Sequence, residues 1–473
     1  MTWTARPPLL PYQVEAAAKL LPTRVGALFA EMGTGKTRMA IELARLRQGK
    51  IDHVAWSCPV SAKETIRRLI LKHTDAQPDD IHVFDDRTAP SCLPPARWYI
   101  VGTESVSASN RVVLTLARLI TERSFVVVDE SHQIKGHTSR RTERLTLLAA
   151  KARYRLILTG TPISQGVVDL FAQMRFLSPK ILGYRSFYSF ARNHLIYSDR
   201  FPGKIEREHD TEYLAARIKP YVYQITKEEC LDLPDKRYAA RYCALTEPQR
   251  IAYDAAKERI LLEEYMEADD WERRIAIFHL FTVLQTIVCG FETLPDGTVA
   301  RYPHSRLDAL ASALAEIPSD APVVIWAKYR HATAEIVAAM GAAHGPDQVH
   351  AYHGGLTPHA RTETLDRWRR SGRFLVATQA AGGTAIDLTA ASHVIYYANG
   401  FKYAERQQSE DRCHRLGQTR PVTYVDLWSD AGIDDRIDRA LSAKGSVVAA
   451  FRREVEAVRA TGKERLRDLV KNL

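Results

Sequence analysis

The stretch AEMGTGKT at residues 30–37 is the most informative part of the chain. Its two glycines allow consecutive backbone N–H groups to point into one concavity. Residues 37–47 carry apolar side chains at helical spacing, which predicts a helix that begins at this concavity. Because helix N-termini favour anions, we interpret the stretch as a phosphate-binding loop rather than a flexible surface loop. Lys36 is expected to reach the β- and γ-phosphates of a nucleotide, and the Thr37 hydroxyl to hold Mg²⁺.

A second motif, VVVDESH at residues 126–132, joins a β-branched run to two carboxylates. Such a run is typical of a buried strand in a parallel sheet, and the carboxyl ends of these strands face the ligand crevice. Asp129 is therefore expected to hold Mg²⁺, and Glu130 to polarise the attacking water. A solvated acidic turn is the alternative for this segment alone. Together the two motifs complete one site for ATP and Mg²⁺, which predicts nucleotide hydrolysis.

Composition sets limits on the class of protein. A chain of 473 residues predicts two or three domains, and its formal net charge of +10 favours a polyanionic partner. Six scattered cysteines form no C-x-x-C pair, which argues against a zinc site. The N-terminus lacks an apolar signal region, and the uncharged stretches are too short to span a bilayer. We therefore expect an intracellular enzyme, cytoplasmic or nucleoid-associated, with no membrane partner.

Strand-like apolar runs alternate with helical patterns in two separate parts of the chain, which predicts an α/β protein with two parallel sheets. The first set of runs is 25–30, 53–58, 98–102, 125–129 and 155–159. The second set is 323–327, 349–353, 374–378, 393–398 and 422–428. The region between the two sets is mostly helical in pattern, notably at 248–265 and 271–287.

A third motif, QSEDRCHRLGQ, occupies residues 408–418. Arg412 and Arg415 are three residues apart, so on a helix they would share one face. We expect them to point at a γ-phosphate held by the other lobe, as arginine fingers that contribute about 10³–10⁵ in rate. Hydrolysis would then depend on closure of the two lobes. A surface pair of arginines is the alternative for two such residues in isolation.

Taken in order, these motifs resemble those of the Swi/Snf-type ATPases, the remodeller-like DNA translocases of the second helicase superfamily. The resemblance extends from about Leu9 to Lys444. Residues 30–37 and 129–132 are similar to the family's Walker A and DEAH-like boxes. Further stretches of this chain resemble other motifs of the family. They are LPYQ at 10–13, CPVS at 58–61, GTES at 102–105, LTGTPI at 158–163, VIW at 324–326 and the segment 378–389.

The resemblance implies two RecA-like lobes in tandem with a helical insertion between them and a C-terminal helix. The expected segments are a first ATP-binding lobe at 1–220, a linker and helical insertion at 221–302, a second lobe at 303–445, and a capping helix at 446–473. It also implies the site residues. Nucleotide contacts are assigned to Tyr12, Gln13, Gly33, Thr34, Gly35, Lys36, Thr37, Asp129 and Gln408. Catalytic roles are assigned to Lys36, Glu130, Arg412 and Arg415. Coupling and DNA-side roles are assigned to Ser61, His132, Thr159, Thr161 and Thr378. Mg²⁺ ligands are expected to be Thr37 and Asp129.

The expected function is a monomeric motor that translocates on double-stranded DNA and hydrolyses ATP in response to DNA. Forked or branched DNA is an open alternative as the partner, and a strand-separating helicase or a fork-reversal or annealing enzyme is an open alternative activity. No bromodomain-, chromodomain- or zinc-finger-like extension is recognisable, so no histone partner is expected. In another class, a nucleotide-switched DNA clamp is disfavoured by intact Lys36, Glu130 and Arg415. An RNA-directed enzyme is disfavoured by the long interval from 164 to 322.

Overall fold

The computed structural model describes residues 8–163, 166–198, 205–260, 270–382, 386–445 and 450. The chain divides into two compact units, Met1–Asp232 and Leu233–Leu473. We refer to them as the first and second lobes. Among the described residues, none of the helices combines the length and the apolar character that crossing a bilayer requires.

The first lobe contains a seven-stranded parallel sheet with the strand order β3-β4-β2-β5-β6-β1-β9. Its strands are β1 Val25–Ala30, β2 His53–Cys58, β3 Ile81–Val83, β4 Trp98–Gly102, β5 Ser124–Asp129, β6 Tyr154–Thr159 and β9 Val222–Ile225, and a separate antiparallel hairpin pairs β7 Leu195–Tyr197 with β8 Ile205–Glu208. All six residues of β1 are buried. This burial explains the unbroken apolar runs, because both faces of a parallel sheet are covered by helices.

One or more helices lie between most consecutive strands of the first lobe. They are α1 Pro11–Leu20, α2 Lys36–Leu46, α3 Lys63–His73, α4 Thr103–Ala108, α5 Asn110–Leu119, α6 Arg140–Ala149, α7 Val168–Leu177, α8 Pro179–Leu182, α9 Phe187–His194, α10 Thr211–Ile218 and α11 Lys227–Cys230. Short 3-10 helices lie at Val60–Ala62, Pro78–Asp80, Ser131–Ile134 and Lys219–Tyr221.

The register of three neighbouring strands brings three predicted motifs to one edge of the sheet. Strand β6 lies between β5 and β1, with Asp129 paired to Leu158 and Leu158 paired to Leu28. Because the strands are parallel, the loops that follow them all leave the sheet at its carboxyl edge. The phosphate-binding loop, the Asp-Glu pair and the segment after Thr159 therefore emerge side by side.

The second lobe contains a six-stranded parallel sheet with the order β10-β17-β16-β13-β15-β14. Its strands are β10 Lys236–Cys243, β13 Val323–Ala327, β14 Val349–Tyr352, β15 Phe374–Thr378, β16 His393–Tyr396 and β17 Val422–Ser429, and a small hairpin pairs β11 Phe291–Thr293 with β12 Val299–Arg301. Its helices are α12 Glu247–Arg259, α13 Asp270–Val288, α14 Arg306–Ala315, α15 Arg330–His344, α16 Pro358–Ser371, α17 Gln379–Gly382, α18 Tyr403–Cys413 and α19 Gly432–Ser442, with a 3-10 helix at Pro346–Gln348.

The structure confirms the predicted fold class of two parallel-sheet α/β lobes, and all ten predicted strands are present. The segmentation differs in one respect. Strands β9 and β10 lie within 221–302, which was predicted to be a linker and helical insertion, yet β9 belongs to the first sheet and β10 to the second. Both are edge strands, and all residues of β10 are half-buried or exposed, so that it does not form a buried apolar run. The predicted capping helix at 446–473 lies outside the described residues, apart from residue 450.

A buried ion pair joins helix α14 to helix α19 in the second lobe. Arg306 donates through Nη1 to Asp434 Oδ2 at 3.1 Å, and each side chain is 1% exposed. The same guanidinium donates to the carbonyl oxygens of Tyr397 at 2.7 Å and Leu427 at 2.6 Å. A charge this deeply buried is tolerated only when its partners satisfy it, so the lobe depends on the intact pair.

We predict that Arg306→Met destabilises the second lobe by about 3–5 kcal/mol, because it leaves the buried Asp434 carboxylate without its opposite charge and two carbonyls without their donor. Chemical denaturation monitored by circular dichroism measures the change. The matched control is Arg439→Ala on α19, the helix of Asp434, since the side chains of the Arg439–Asp435 pair are 76% and 54% exposed. An exposed pair contributes about 0–1 kcal/mol. Equal effects of the two variants would contradict the importance of the buried pair.

Candidate active site

The phosphate-binding loop follows β1 and ends at the first turn of α2. Gly33 and Gly35 have φ values of 89° and 82°, in the left-handed region that glycine adopts without strain. A Cβ on Gly35 would also lie 2.7 Å from Gln13 Nε2, so a side chain at this position would displace the Gln13 amide. Gly35 precedes α2 directly, and the N–H groups of the first helical turn, which have no acceptor within the helix, therefore face the loop. This is the anion-binding geometry that the sequence predicts.

Lys36 lies within the loop, and Thr37 follows it in the first turn of α2. The Lys36 ammonium donates to the carbonyl oxygens of Ala30 at 2.8 Å and Glu31 at 3.2 Å. The side chain is buried, and Thr37 is half-buried. Both residues are therefore placed where a phosphate on the helix N-terminus would meet them, although their ligand contacts stay a prediction.

Tyr12 and Gln13 on α1 contact the same loop through Thr34. The Tyr12 hydroxyl donates to Thr34 O at 2.9 Å, and Gln13 Nε2 donates to that oxygen at 3.4 Å. Burial raises the pKa of the Tyr12 hydroxyl to about 12, so it remains a donor at neutral pH. The Tyr223 hydroxyl on β9 in turn donates to Tyr12 O at 2.9 Å. The sequence predicts that these two residues are near the nucleotide, and the structure places them against the loop.

The end of β9 and the start of α11 brace the loop from the other side. Glu31 N donates to Ile225 O at 3.1 Å, and Lys227 N donates to Glu31 Oε2 at 3.0 Å. Sequence reasoning missed this support, because it placed residues 221–302 outside the first lobe. The pairing of β9 with β1 is the feature that makes the contact, and four residues of strand give too weak a pattern to predict it.

Asp129 ends β5, and its carboxylate is influenced by the charges of Glu130, Lys36 and His132. Its Oδ1 accepts from Glu130 N at 2.9 Å. Burial, and then the negative charge of Glu130, raise the pKa of the Asp129 carboxyl above its usual range, while the charges of Lys36 and His132 act in the opposite direction. Two carboxylates close together in a half-buried position would be stabilised by a cation.

The donor set at this edge fits Mg²⁺ held jointly by protein and nucleotide. Among the described residues, no cluster of three or more His, Cys, Asp or Glu side chains could hold a metal ion alone. Mg²⁺ is commonly bound through one or two carboxylates together with substrate phosphates, and it retains several waters. The Asp129 carboxylate and the Thr37 hydroxyl are donors of the type that this arrangement requires.

Glu130 has an unusual backbone conformation. Its φ of 51° and ψ of 55° are left-handed, and only two other described non-glycine residues, Asp210 and Lys444, have positive φ. Such a conformation costs about 1–2 kcal/mol in a residue with a Cβ. His132 Nδ1 lies 3.3 Å from Glu130 Oε2. The strained turn and the histidine together fix where the carboxylate points, which a general base requires.

The predicted coupling residues lie along the same carboxyl edge. Thr159 is buried, and its Oγ1 accepts from Thr161 N at 3.1 Å. Ser61 is exposed on the 3-10 helix after β2. The segments after β2 and β4 are joined by two hydrogen bonds, Ser57 Oγ with Thr103 Oγ1 at 2.8 Å and Val60 N to Glu104 Oε2 at 3.0 Å. The two segments predicted to face DNA in the first lobe are therefore connected to each other by hydrogen bonds.

In the second lobe, the predicted residues lie on β15 and around α18. Thr378 is buried at the end of β15, Gln408 is half-buried on α18, and Arg412 is buried near the end of that helix. The expectation that Arg415 shares a helical face with Arg412 is wrong, because α18 ends at Cys413. His414 leaves the helical region with ψ of 83°, and its Nε2 contacts Pro234 O at 2.7 Å. Arg415 donates through Nη1 to Ile386 O at 3.4 Å.

A buried polar network that sequence reasoning missed positions α18. Arg406 donates through Nε to Glu410 at 2.8 Å and through Nη2 to Asp426 at 3.0 Å, and it stacks on the Tyr396 ring. Lys236 on β10 donates to Glu410 at 2.9 Å. The network anchors the helix that carries Arg412 to β10, β16 and β17, so the motif cannot rotate independently of the sheet.

The two parallel-sheet lobes, with a phosphate-binding loop and an Asp-Glu pair at one edge of the first, define the class of helicase-type nucleotide hydrolases. Residues 99–290 match the model of the SNF2-related domain, and residues 305–417 match that of the helicase conserved C-terminal domain. The chain belongs to the SNF2-related family of ATP-dependent helicases.

Individual relatives are distant and longer. An uncharacterized ATP-dependent helicase of Mycoplasma pneumoniae is 24% identical over 356 residues, which cover 73% of this chain and 32% of the relative. The DNA annealing helicase and endonuclease ZRANB3 of Mus musculus is 24% identical over 470 residues, which cover 94% of this chain and 41% of the relative. The chain thus spans less than half of either relative. The solved Sulfolobus solfataricus SWI2/SNF2 ATPase core in complex with dsDNA is 23% identical with a TM-score of 0.45, covering 94% of this chain and 92% of that one.

We predict that Lys36→Ala and Glu130→Gln fail at different steps. Loss of the ammonium removes a charged phosphate contact, which weakens ATP binding by about 10- to 100-fold. The glutamine keeps the shape of Glu130 but cannot polarise water, so ATP still binds while turnover falls by about 10²-fold or more. Titration with a fluorescent ATP analogue and a steady-state phosphate-release assay separate the two effects. Turnover of Glu130→Gln near the wild-type rate would contradict the role of Glu130.

Proposed function

We propose that this chain is a DNA-stimulated ATPase that translocates on double-stranded DNA and thereby remodels DNA or DNA–protein complexes. The observation that supports it most is the convergence of three loops at the carboxyl edge of the first sheet. The phosphate-binding loop would bind ATP, and the segment after β5 would supply the groups that hydrolyse it. The segment after β6 would couple hydrolysis to DNA contact. This arrangement would place the groups for ATP hydrolysis and the segment that couples it to DNA on the same sheet.

Within this proposal, the nucleotide would be contacted by α1, the phosphate-binding loop and the end of β5. Tyr12 and Gln13 would lie against the base, with the phosphates on the N-terminus of α2 and Lys36 beside them. Mg²⁺, held by Thr37 and Asp129, would neutralise charge that develops on the phosphates. Glu130 would accept a proton from the attacking water. Gln408, Arg412 and Arg415 would complete the site during turnover.

A basic cluster at the carboxyl edge of the second sheet supports a polyanionic partner. Arg361 donates through Nη2 to Gly354 O at 2.8 Å, and a Cβ on Gly355 would lie 3.2 Å from Arg330 Nη2. Burial, and then the charges of Arg330 and Arg361, lower the pKa of His353. The positive potential that acts on His353 would equally attract a DNA phosphate. Such contacts depend on charge and not on base sequence.

Strand annealing or fork reversal is the second candidate function. It is favoured because 94% of this chain is similar to part of the mouse DNA annealing helicase. Displacement of a triplex-forming third strand detects translocation, whereas displacement of a duplex strand detects unwinding. Annealing is detected by ATP-dependent closure of a bubble. A nucleotide-switched clamp would give none of these signals and negligible phosphate release. The same ATPase assay with RNA duplex tests the RNA-directed alternative.

We predict that duplex DNA stimulates ATP hydrolysis most strongly and that DNA affinity falls steeply with salt. If six or more phosphates are contacted, affinity drops by about 10³-fold or more between about 50 and 200 mM salt. Fluorescence anisotropy of a labelled duplex gives the slope of log affinity against log salt. Arg330→Ala and Arg361→Ala should each reduce that slope by about 1, whereas Arg439→Ala should not change it. Unchanged slopes in both variants would exclude the basic cluster as a DNA contact.

We predict that Arg415→Ala leaves ATP affinity nearly intact and lowers kcat by about 10²-fold or more, as expected for a contact made mainly in the transition state. Arg415→Lys should rescue poorly, because an ammonium cannot reproduce the planar fork of a guanidinium. The control is Arg420→Ala, whose exposed side chain donates to Ala390 O at 2.7 Å. Phosphate release at saturating DNA is the measurement. A decrease below about threefold in Arg415→Ala would show that Arg415 is a surface residue instead.

A further inference from the structure

Gln173 is a fully buried glutamine on α7 whose amide makes three hydrogen bonds. Its Oε1 accepts from Ser131 Oγ at 2.7 Å, and its Nε2 donates to Pro162 O and to Asp169 O, both at 2.8 Å. The side chain is 0% exposed. Both of its N–H donors and its carbonyl oxygen are thus satisfied inside the protein.

The partners of Gln173 belong to two different loops of the candidate active site. Ser131 follows Glu130 directly, at the start of the 3-10 helix after β5. Pro162 follows Thr161 in the loop after β6. One side chain from a third element therefore joins the loop that carries the general base to the loop assigned to DNA coupling. A second link, from Lys135 Nζ to Asp169 Oδ2 at 3.2 Å, ties the end of the same 3-10 helix to α7.

Packing alone does not account for a glutamine at this position. The helix around it is apolar and buried, with Leu170, Phe171, Met174 and Leu177 all in the core of the lobe. A leucine would fill similar space without any requirement for partners, whereas a buried amide is tolerated only with its hydrogen bonds made. A fully satisfied polar network instead fixes one geometry of the groups that it joins.

We propose that Gln173 is a positioning residue that couples the two loops, so that a displacement of the loop after β6 on DNA contact is transmitted to Glu130. This inference rests on the proposed function, because it concerns how DNA would accelerate hydrolysis. The route is short: Pro162 O, the Gln173 amide, Ser131 Oγ, and the backbone from Ser131 to Glu130. Breaking the hydrogen bond of Gln173 to Ser131 or the one to Pro162 interrupts this route between Glu130 and the loop after β6. Neither change removes a residue that is assigned to nucleotide binding.

The test compares Gln173→Leu and Ser131→Ala with the wild-type chain in an ATPase assay with and without duplex DNA, at a temperature well below unfolding. We expect the ratio of DNA-stimulated to basal kcat to fall by about tenfold or more in each variant. We also expect the double variant to lose no more than the single ones, since both remove the same linkage. Affinity for a fluorescent ATP analogue should change less than threefold.

The matched control is Gln249→Leu. Gln249 is an equally buried glutamine in the second lobe, and its Nε2 donates to Ile287 O at 2.8 Å. The Gln249→Leu variant should lower the stability of the protein as much as Gln173→Leu does. It should leave the ratio of DNA-stimulated to basal kcat within twofold of the wild-type ratio. Stimulation ratios within twofold of wild type in both Gln173→Leu and Ser131→Ala would overturn the proposal, as would additive losses in the double variant.

Hydrogen–deuterium exchange distinguishes failure of this inference from failure of the proposed function. Gln173→Leu should speed amide exchange in residues 130–135 and 159–163 together, whereas Gln249→Leu should leave both segments unchanged. If the wild-type chain shows no DNA stimulation, the proposed function fails, and the exchange data still decide whether the two loops are linked. Faster exchange in only one of the two segments would contradict the linkage.

Discussion

The structure of the first lobe depends on the pairing of β6 between β5 and β1. Parallel pairing in this order holds the ends of three strands at one level, so that Asp129, the segment after Thr159 and the phosphate-binding loop leave the sheet together. A slip of one residue in either pairing would turn the side chains of a strand to the opposite face. Because every residue of β1 is covered, such a slip would exchange the side chains packed on the two faces, and close packing in the core opposes that exchange. The geometry of the site is therefore a consequence of core packing.

Around this scaffold, buried polar groups hold the segments that packing leaves free. The Tyr12 hydroxyl fixes the phosphate-binding loop through Thr34, and Gln173 joins the loops after β5 and β6. In the second lobe, Arg406 anchors the helix that carries Arg412. Each of these groups requires its partners, because an unsatisfied polar group in the interior is costly. Loops that must keep one geometry during turnover are thus fixed by directional bonds, while apolar contacts hold the sheets.

The left-handed conformation of Glu130 shows where the fold accepts strain. A residue with a Cβ at φ of 51° is disfavoured, and the surrounding contacts must outweigh that cost. The hydrogen bond of its N–H to Asp129 and the link of the next residue to Gln173 hold the turn. The result is that the carboxylate leaves the strand at a sharp angle, beside His132. Strain at this residue is consistent with a position selected for chemistry over stability.

The sequence by itself determined the two sheets and the glycine-bearing loop after β1, whereas the nucleotide contacts stay a prediction. Runs of buried apolar residues and the glycines of residues 30–37 carry their own local signal, because strand burial and positive φ each demand a particular residue type. Tertiary structure alone decided the membership of β9 and β10, since β9 has only four residues and β10 has no buried apolar run. It also decided the end of α18 before Arg415, and the role of Gln173 as a link between distant loops. Hydrogen bonds between segments far apart in sequence leave no periodic pattern, so only the folded chain reveals them.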